Sequence, residues 1–260
     1  MRFGMPALIE VETVEGLAAL CGELGLGFVE LNTNFPNQQV HLLDPNHLNS
    51  LACRYGIGWT IHLNDEMPVA DFCPSVAQGY RQSVLDTIEL AKKIGCKCLN
   101  MHIAEGAHYT TPQRIVYFYE AYREDYLRGI REFRDMCEQA IGDSGILICM
   151  ENSKTYFDFQ KDALELLLES PVFALTLDIG HSHCSGYSDD RWIRQRGIRH
   201  MHMHDAKGTK QDHQPLGQGE MDLEDYLKLA QSSGCTVLLE VKTVEGLRQS
   251  VEWIRRKGLL

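Results

Sequence analysis

The sequence lacks the features that mark several large classes of protein. Its 260 residues contain no run of about 18 apolar residues, the length that a membrane-spanning helix needs. No apolar segment typical of a signal peptide occurs near the N-terminus. No GxGxxG pattern follows the first predicted strand, and GxxxxGK[S/T] is absent. We therefore expect a cytoplasmic protein without membrane association and without the usual nucleotide-binding loops.

Paired cysteines and basic charge are also scarce. The nine cysteines include no CxxC pair, and their odd number fits free thiols in a reducing compartment better than a disulfide framework. Lys and Arg number 25 against 36 Asp and Glu, so the formal net charge is −11. Because Lys and Arg contacts to phosphates supply most nucleic-acid affinity, we expect no nucleic-acid partner. No linker or low-complexity segment interrupts the chain, so we predict that residues 1–260 form a single domain.

Strand-like and helix-like segments alternate along the chain. Short apolar runs such as 27–33 and 58–63 are each followed by a segment in which apolar residues recur every three or four positions. The sequence TVEGL occurs twice, which predicts Thr13 and Thr243 as helix N-caps. Eight strand–helix units in about 250 residues predict an α/β protein whose parallel sheet closes into a (β/α)₈ TIM barrel.

One predicted helix is longer than the others. Thr111 followed by Pro112 is typical of an N-cap and first helical position. We therefore predict a tyrosine-rich helix that begins near Ile115 and ends near Ile141.

Six predicted strands end in an ionisable side chain. These residues are His62, His102, Glu151, Asp178, His202 and Glu240. The carboxyl ends of the strands meet at the catalytic face of a TIM barrel. Since several carboxylates buried together need a compensating cation, the pattern predicts a divalent metal. Mixed imidazole and carboxylate ligands suit Zn²⁺, Mn²⁺, Co²⁺ or Fe²⁺ better than Ca²⁺.

Four motifs carry a resemblance to a known family: MENS, LDIGH, HMHDAKG…DHQPLGQGEMD and LLEVK. Together they resemble the xylose isomerase-like TIM-barrel superfamily, and specifically its sugar phosphate isomerase/epimerase and endonuclease IV-like branch. The resemblance covers nearly the whole chain. In such proteins a Glu, an Asp, a His and a Glu from four successive barrel strands hold one metal. By resemblance these ligands are Glu151, Asp178, His202 and Glu240.

The endonuclease IV-like members hold up to three metal ions with further ligands. The resemblance implies His62, His102, His181 and His213 for these additional positions. The chain departs from the pattern at one acid, because Gln211 stands two residues before His213 and the nearest carboxylate is Asp212. The resemblance therefore implies one to three ions and leaves open whether Asp212 replaces the usual acid of a third site.

The resemblance implies a divalent-metal-dependent isomerase or epimerase that acts on a sugar or sugar phosphate. Proton transfer would pass through a metal-stabilised enediolate, with Glu151 and Glu240 as acid and base and His181 and Lys207 contacting the substrate. An endonuclease IV-like phosphoesterase, whose metal cluster activates water, is the alternative enzyme, and a non-catalytic sugar-binding barrel is a third possibility. The two enzymes share residues and differ in metal count. A homo-oligomer would be ordinary for the family.

Overall fold

The computed structural model describes residues 1–208 and 210–260, apart from the side chains of residues 210–212. Its strands, in chain order, are β1 (Arg2–Pro6), β2 (Phe28–Asn32), β3 (Gly58–His62), β4 (Cys98–His102), β5 (His108–Thr110), β6 (Ile115–Tyr117), β7 (Leu147–Glu151), β8 (Phe173–Asp178), β9 (His200–Met203), β10 (Asp205–Lys207), β11 (Lys210–Gln214) and β12 (Thr236–Leu239). Eight of them close into a parallel barrel in the order β1-β2-β3-β4-β7-β8-β9-β12, and β12 pairs with β1.

Helices surround this barrel. They are α1 (Val14–Glu23), α2 (Pro45–Tyr55), α3 (Pro74–Ile94), α4 (Phe118–Ala121), α5 (Arg123–Ile141), α6 (Asp158–Leu168), α7 (Ile179–Cys184), α8 (Asp190–Arg196), α9 (Leu223–Ser233) and α10 (Val244–Arg256). The predicted (β/α)₈ TIM barrel is thereby confirmed. Among the helices of the described residues, none combines the length and apolar character that crossing a bilayer requires.

The predicted N-caps of the first and last helices are present. The hydroxyl oxygens of Thr13 and Thr243 accept hydrogen bonds from the backbone N–H of Gly16 and Gly246, each over 3.1 Å. Each bond satisfies one of the donors that the first turn of a helix leaves unpaired. The repeated TVEGL segment thus has the same local structure at both ends of the chain.

The predicted helix start at Thr111 and Pro112 is wrong. Thr111 lies in the turn between β5 and β6, where its hydroxyl oxygen accepts from the backbone N–H of Gln113 (3.2 Å) and Arg114 (3.0 Å). This bonding resembles an N-cap, but the next residues pair antiparallel with β5. The β-branched pair at the start of β6 favours a strand, and the helical structure begins only at α4.

The two faces of the barrel strands differ in chemistry. Side chains that point outward are apolar and buried against the helices, as for Ile61, Met101 and Met201. Side chains that point inward alternate with them and include buried polar ones, such as Thr60 and Thr176, beside apolar ones such as Phe28. Branched apolar residues usually fill the interior of such a barrel. Here the interior holds polar groups that lead up to the carboxyl ends of the strands.

Cys73 is expected to be the cysteine that thiol reagents modify first. It is exposed at the start of α3, where the hydroxyl of Ser75 and the backbone N–H of Val76 lower the pKa of its thiol. Burial instead raises the pKa of the Cys21 and Cys96 thiols to about 12. Since the thiolate is the reactive form, brief iodoacetamide labelling followed by peptide mass spectrometry should find Cys73 modified well before Cys21 or Cys96. Equal labelling of buried Cys96 in the native protein would contradict the described packing.

Candidate metal centre

Four side chains converge at the carboxyl end of the barrel. Glu151 ends β7, Asp178 ends β8, His202 lies in β9, and Glu240 directly follows β12. One ligand atom from each lies within 4.8 Å of those of the other three. His202 Nδ1 is 3.1 Å from Glu151 Oε1, 3.1 Å from Glu240 Oε2 and 3.9 Å from Asp178 Oδ2. The structure thus brings together the four residues that the family resemblance implied.

Asp178 is oriented by the start of the next helix. Its Oδ1 caps α7 by accepting a 2.6 Å hydrogen bond from the backbone N–H of His181. The Asn152 side chain binds the backbone N–H and C=O of Asp178, each over 2.9 Å. Because Oδ1 and the backbone are held in this way, Oδ2 is the oxygen that faces His202.

The two glutamates are each held through one oxygen. Glu151 Oε2 accepts from the amide Nδ2 of Asn100, and Asn100 in turn accepts a 2.6 Å bond from the Thr176 hydroxyl. Glu240 Oε1 lies 2.6 Å from the ammonium of Lys242. In both residues the second oxygen is the one 3.1 Å from His202 Nδ1. The two carboxylates therefore approach the same imidazole nitrogen.

The cluster is buried and strongly charged. Burial raises the pKa of the Glu151 carboxyl, but the imidazoles of His202 and His102 outweigh it and hold that pKa well below its usual range. The same balance applies to Glu240, whose pKa His202 and Lys242 hold well below its usual range against the effect of burial. Burial lowers the pKa of His202, and the surrounding carboxylates raise it well above its usual value. The carboxylates are thus ionised and attract a cation.

The unsatisfied atoms of the cluster fit a divalent ion. Asp178 Oδ2 and Glu240 Oε2 are buried without a hydrogen-bond partner, and neither nitrogen of His202 makes an aligned hydrogen bond. Buried polar atoms rarely remain unpaired in folded proteins. One imidazole nitrogen and three carboxylate oxygens form a donor set suited to Zn²⁺, Mn²⁺, Co²⁺ or Fe²⁺. The residues present therefore fit a metal at this position.

A second group of possible ligands adjoins Glu151. His62, Asp65 and His102 offer atoms within 4.8 Å of one another. The Nε2 atoms of His62 and His102 lie 3.3 Å and 3.5 Å from Glu151 Oε2. Burial lowers the pKa of His62, but its contact with Glu151 raises the pKa to about 9. His62 and His102 thus lie where the resemblance implied an additional ion beside the first.

A third group contains His181, His204 and His213, whose ligand atoms also lie within 4.8 Å of one another. His204 and His213 stack with ring centroids 4.2 Å apart, and His204 Nε2 is 3.4 Å from Asp178 Oδ1. The sequence analysis did not assign His204 to this group. The alternative that Asp212 replaces the missing acid of a third metal site concerns a side chain that lies outside the described residues.

A cavity of about 730 Å³ opens above the cluster. Each of the three segments 64–79, 105–113 and 153–160 contributes residues to its wall, and so do His62, His102, His181 and His213. Lys207 is exposed in β10 and is not among the residues that line this cavity. The cavity has the size of a small-molecule site.

Two further residues at the cluster were missed by the sequence analysis. Glu30 lies in β2 and is 2 % exposed, and its Oε1 is 3.2 Å from His202 Nε2. Lys242 lies two residues after Glu240 and pairs with it. The signal for Glu30 was an acid within an apolar strand, on the same face as Asn32. The signal for Lys242 was a cation directly after a strand-end acid.

Gly180→Ala is expected to destabilise the protein and to displace His204. A Cβ at Gly180 would overlap with the imidazole of His204, and added bulk in a packed site costs about 1–3 kcal/mol. Urea unfolding of the variant measures the loss. Gly79→Ala is the matched control, because a Cβ there meets nothing within 4 Å and Ala favours a helix over Gly by about 1 kcal/mol. Equal stability of the two variants would contradict the described packing.

A family model for the xylose isomerase-like TIM barrel matches residues 18–257. An uncharacterised protein of Methanocaldococcus jannaschii is 22% identical over 197 residues, which are 74% of this chain and 73% of that protein.

Two solved structures share the fold over the full length. A D-tagatose 3-epimerase-like protein superposes with a TM-score of 0.78 at 20% identity, covering 100% of this chain and 98% of that one. D-psicose 3-epimerase with D-tagatose from Clostridium cellulolyticum H10 gives a TM-score of 0.74 at 14% identity, covering 100% and 99%. With the match of the family model over most of its length, the chain belongs to the xylose isomerase-like TIM-barrel family.

Proposed function

We propose that the protein is a divalent-metal-dependent sugar isomerase or epimerase. The observation that carries the proposal is the pair of buried glutamates, Glu151 and Glu240, each with one oxygen 3.1 Å from His202 Nδ1. An enzyme that moves a proton between two faces of one carbon needs two such groups across a substrate. The fold shared with a D-tagatose 3-epimerase-like protein and with a D-psicose 3-epimerase supports the same class of reaction.

The metal would be held by Glu151, Asp178, His202 and Glu240. When bound, a divalent cation supplies a Lewis acid that polarises a carbonyl or hydroxyl group. Zn²⁺, Mn²⁺, Co²⁺ and Fe²⁺ all accept this set of one nitrogen and three oxygens. The chain orients the set through the Asn152 contacts to Asp178 and the Asn100 contact to Glu151.

The proton would be moved by the two glutamates. One carboxylate takes it from the carbon next to the sugar carbonyl, which gives an enediolate, and the other returns it. Asn100 holds Glu151 and Lys242 holds Glu240 through the oxygen that faces away from His202. Fixing one oxygen leaves the other in place for proton transfer. His181 lines the cavity and donates its Nδ1–H to the backbone carbonyl oxygen of Asn152 over 2.9 Å, so its other ring nitrogen would contact a substrate hydroxyl, whereas Lys207 has no role in this proposal.

The charges around the cavity favour an uncharged sugar over a sugar phosphate. Among the described residues that line it, Lys154 is 2.5 Å from Glu105 and Lys242 is 2.6 Å from Glu240, so both ammonium groups are paired with acids. Asp65 and Glu66 add further negative charge. A phosphate would have to compete with these carboxylates for the lysines.

The test is carbon–hydrogen exchange in D₂O. The protein loaded with Mn²⁺ or Co²⁺ is incubated with D-tagatose, D-psicose and a panel of other ketoses and aldoses, and the sugars are followed by ¹H NMR. We expect deuterium to enter at the carbon next to the carbonyl of at least one sugar. Chelation should stop the exchange and added metal should restore it. No exchange with any sugar, by protein shown to contain metal, would overturn the proposal.

A second candidate function is an endonuclease IV-like phosphoesterase. It is favoured by one observation, that His62 Nε2 and His102 Nε2 both approach Glu151 Oε2, so this carboxylate has imidazoles on both sides. Such a centre would hold two or three ions and hydrolyse bis-(p-nitrophenyl) phosphate or abasic DNA. His62→Ala should then remove one ion and the hydrolysis. A non-catalytic sugar-binding barrel would instead show sugar affinity that Glu151→Gln preserves, with no turnover.

A further inference from the structure

Glu30 lies beneath the candidate metal centre, in the interior of the barrel. It is in the middle of β2 and is 2 % exposed. Its Oε2 accepts a 3.0 Å hydrogen bond from the Thr60 hydroxyl and lies 3.3 Å from His200 Nε2. Its Oε1 lies 3.2 Å from His202 Nε2. A buried carboxylate is costly unless cations or hydrogen-bond donors compensate it. The Thr60 hydroxyl donates to Glu30, and the two imidazoles lie close to it without an aligned hydrogen bond from either Nε2.

His202 therefore lies between two sets of carboxylates. The carboxylates of Glu151, Asp178 and Glu240 lie near its Nδ1. Among the described residues, the carboxylate paired with its Nε2 is that of Glu30. A neutral imidazole carries one N–H and one lone pair, and an ionised carboxylate can only accept. The nitrogen beside Glu30 is thus the one that keeps its hydrogen when the other nitrogen binds a cation.

We infer that Glu30 is a positioning residue for the metal centre, which fixes the hydrogen of His202 on Nε2 and leaves the Nδ1 lone pair for the metal. The inference rests on the proposed metal dependence. A carboxylate behind a ligating histidine sets the tautomer and the ring orientation and raises the basicity of the ligand. Removing such a partner typically lowers metal affinity by about 10- to 100-fold.

His200 lies between Glu30 and Thr236. His200 Nδ1 is 2.6 Å from the Thr236 hydroxyl, and its Nε2 faces Glu30. If Nε2 carries the hydrogen toward Glu30, Nδ1 accepts from the hydroxyl of Thr236. Thr236, His200, Glu30 and His202 thus lie in a row of polar contacts inside the barrel.

The inference is tested by Zn²⁺ binding to three forms of the protein. Zn²⁺ affinity is measured by competition with a chelator for the wild type, Glu30→Gln and Thr60→Val. Glu30→Gln keeps the size of the side chain but removes its charge and turns an N–H₂ group toward one of the two imidazoles. Thr60→Val removes only one donor to Glu30 and keeps the carboxylate. We expect about 10- to 100-fold weaker binding for Glu30→Gln and less than about 3-fold change for Thr60→Val.

A second readout uses the wild-type protein and does not depend on how any variant folds. ¹⁵N-histidine NMR distinguishes the two ring nitrogens of His202. On addition of Zn²⁺ we expect the Nδ1 signal to move to the metal-bound range, with the hydrogen retained on Nε2. A residue that only stabilised the fold would change the unfolding temperature and leave this tautomer and the affinity unaffected.

The outcomes separate this inference from the proposed function. Wild-type protein that binds Zn²⁺ through Nε2 of His202 overturns the inference alone. Folded Glu30→Gln that binds Zn²⁺ within about 3-fold of the wild type, against the expected 10- to 100-fold loss, does the same. Wild-type protein that binds no Zn²⁺ overturns the metal-dependent function and the inference together.

Discussion

Glu151→Gln is expected to lower the rate of carbon–hydrogen exchange in the sugar by about 100- to 10,000-fold, the usual contribution of a positioned acid or base. The amide keeps the size of the side chain and one oxygen, but it cannot take a proton from carbon. Exchange is measured in D₂O at saturating Mn²⁺, so that weaker metal binding does not cause the loss. Mn²⁺ affinity, determined separately, distinguishes a lost base from a lost ligand.

Two controls accompany this prediction. Glu224→Gln removes an exposed carboxylate of α9 that pairs with Lys257 on the surface, and it should leave the exchange rate unchanged. Glu240→Gln should lower the rate as Glu151→Gln does, and the double variant should cost little more than either, because groups that act as a unit are not additive. Glu151→Gln that exchanges within about 3-fold of the wild type would refute the assigned role, since acid–base catalysis contributes far more.

Removing the metal is expected to lower the unfolding temperature by about 5–10 °C. A ligand at 100 times its Kd stabilises the folded state by about 2.7 kcal/mol, and each kcal/mol corresponds to about 2–4 °C in a chain of this size. The physical cause is the burial of Glu151, Asp178 and Glu240 around one imidazole, with two of their oxygens unpaired. Scanning calorimetry with Mn²⁺ and with a chelator measures the difference.

Asp178→Ala tests whether the metal-dependent rise in unfolding temperature comes from the candidate metal centre. It removes one of the unpaired oxygens and the N-cap of α7, so its unfolding temperature should no longer respond to Mn²⁺. Replacing Glu165, which is half exposed on α6, with Gln should leave the full response. A metal-dependent shift that persists in Asp178→Ala would mean that the ion binds elsewhere.

The sequence predicted the barrel well because its signals are local. The alternation of Thr60, Ile61 and His62 in β3 is visible within a few residues, and so are the threonines that cap α1 and α10. The turn at Thr111 shows the limit of such signals. The same hydroxyl–backbone bonds start a helix or close a hairpin, and only the pairing of β6 with β5 decides between them.

Only part of the candidate metal centre could be predicted, again because sequence signals are local. Strand-end residues such as Asp178 and His202 carry their own signal, since their position in the barrel follows from their position in the strand. The local signal of Glu30, an acid within an apolar strand, does not show what it contacts. The contacts of Glu30 and His204 depend on which strands meet across the closed barrel and where the segment after β9 lies. The contact of Glu30 with His202 joins residues far apart in the chain. The contact of His204 with His213 joins residues outside the barrel strands.

The measurement that tests the central claim most directly is the metal content of the purified protein after loading with Mn²⁺, Co²⁺ or Zn²⁺. Elemental analysis is made on the wild type, Glu151→Ala and His62→Ala. We expect about one ion per chain, lost in Glu151→Ala and kept in His62→Ala, as for a single site with four ligands. A wild-type protein that retains no divalent ion under these conditions would refute the proposed metal centre.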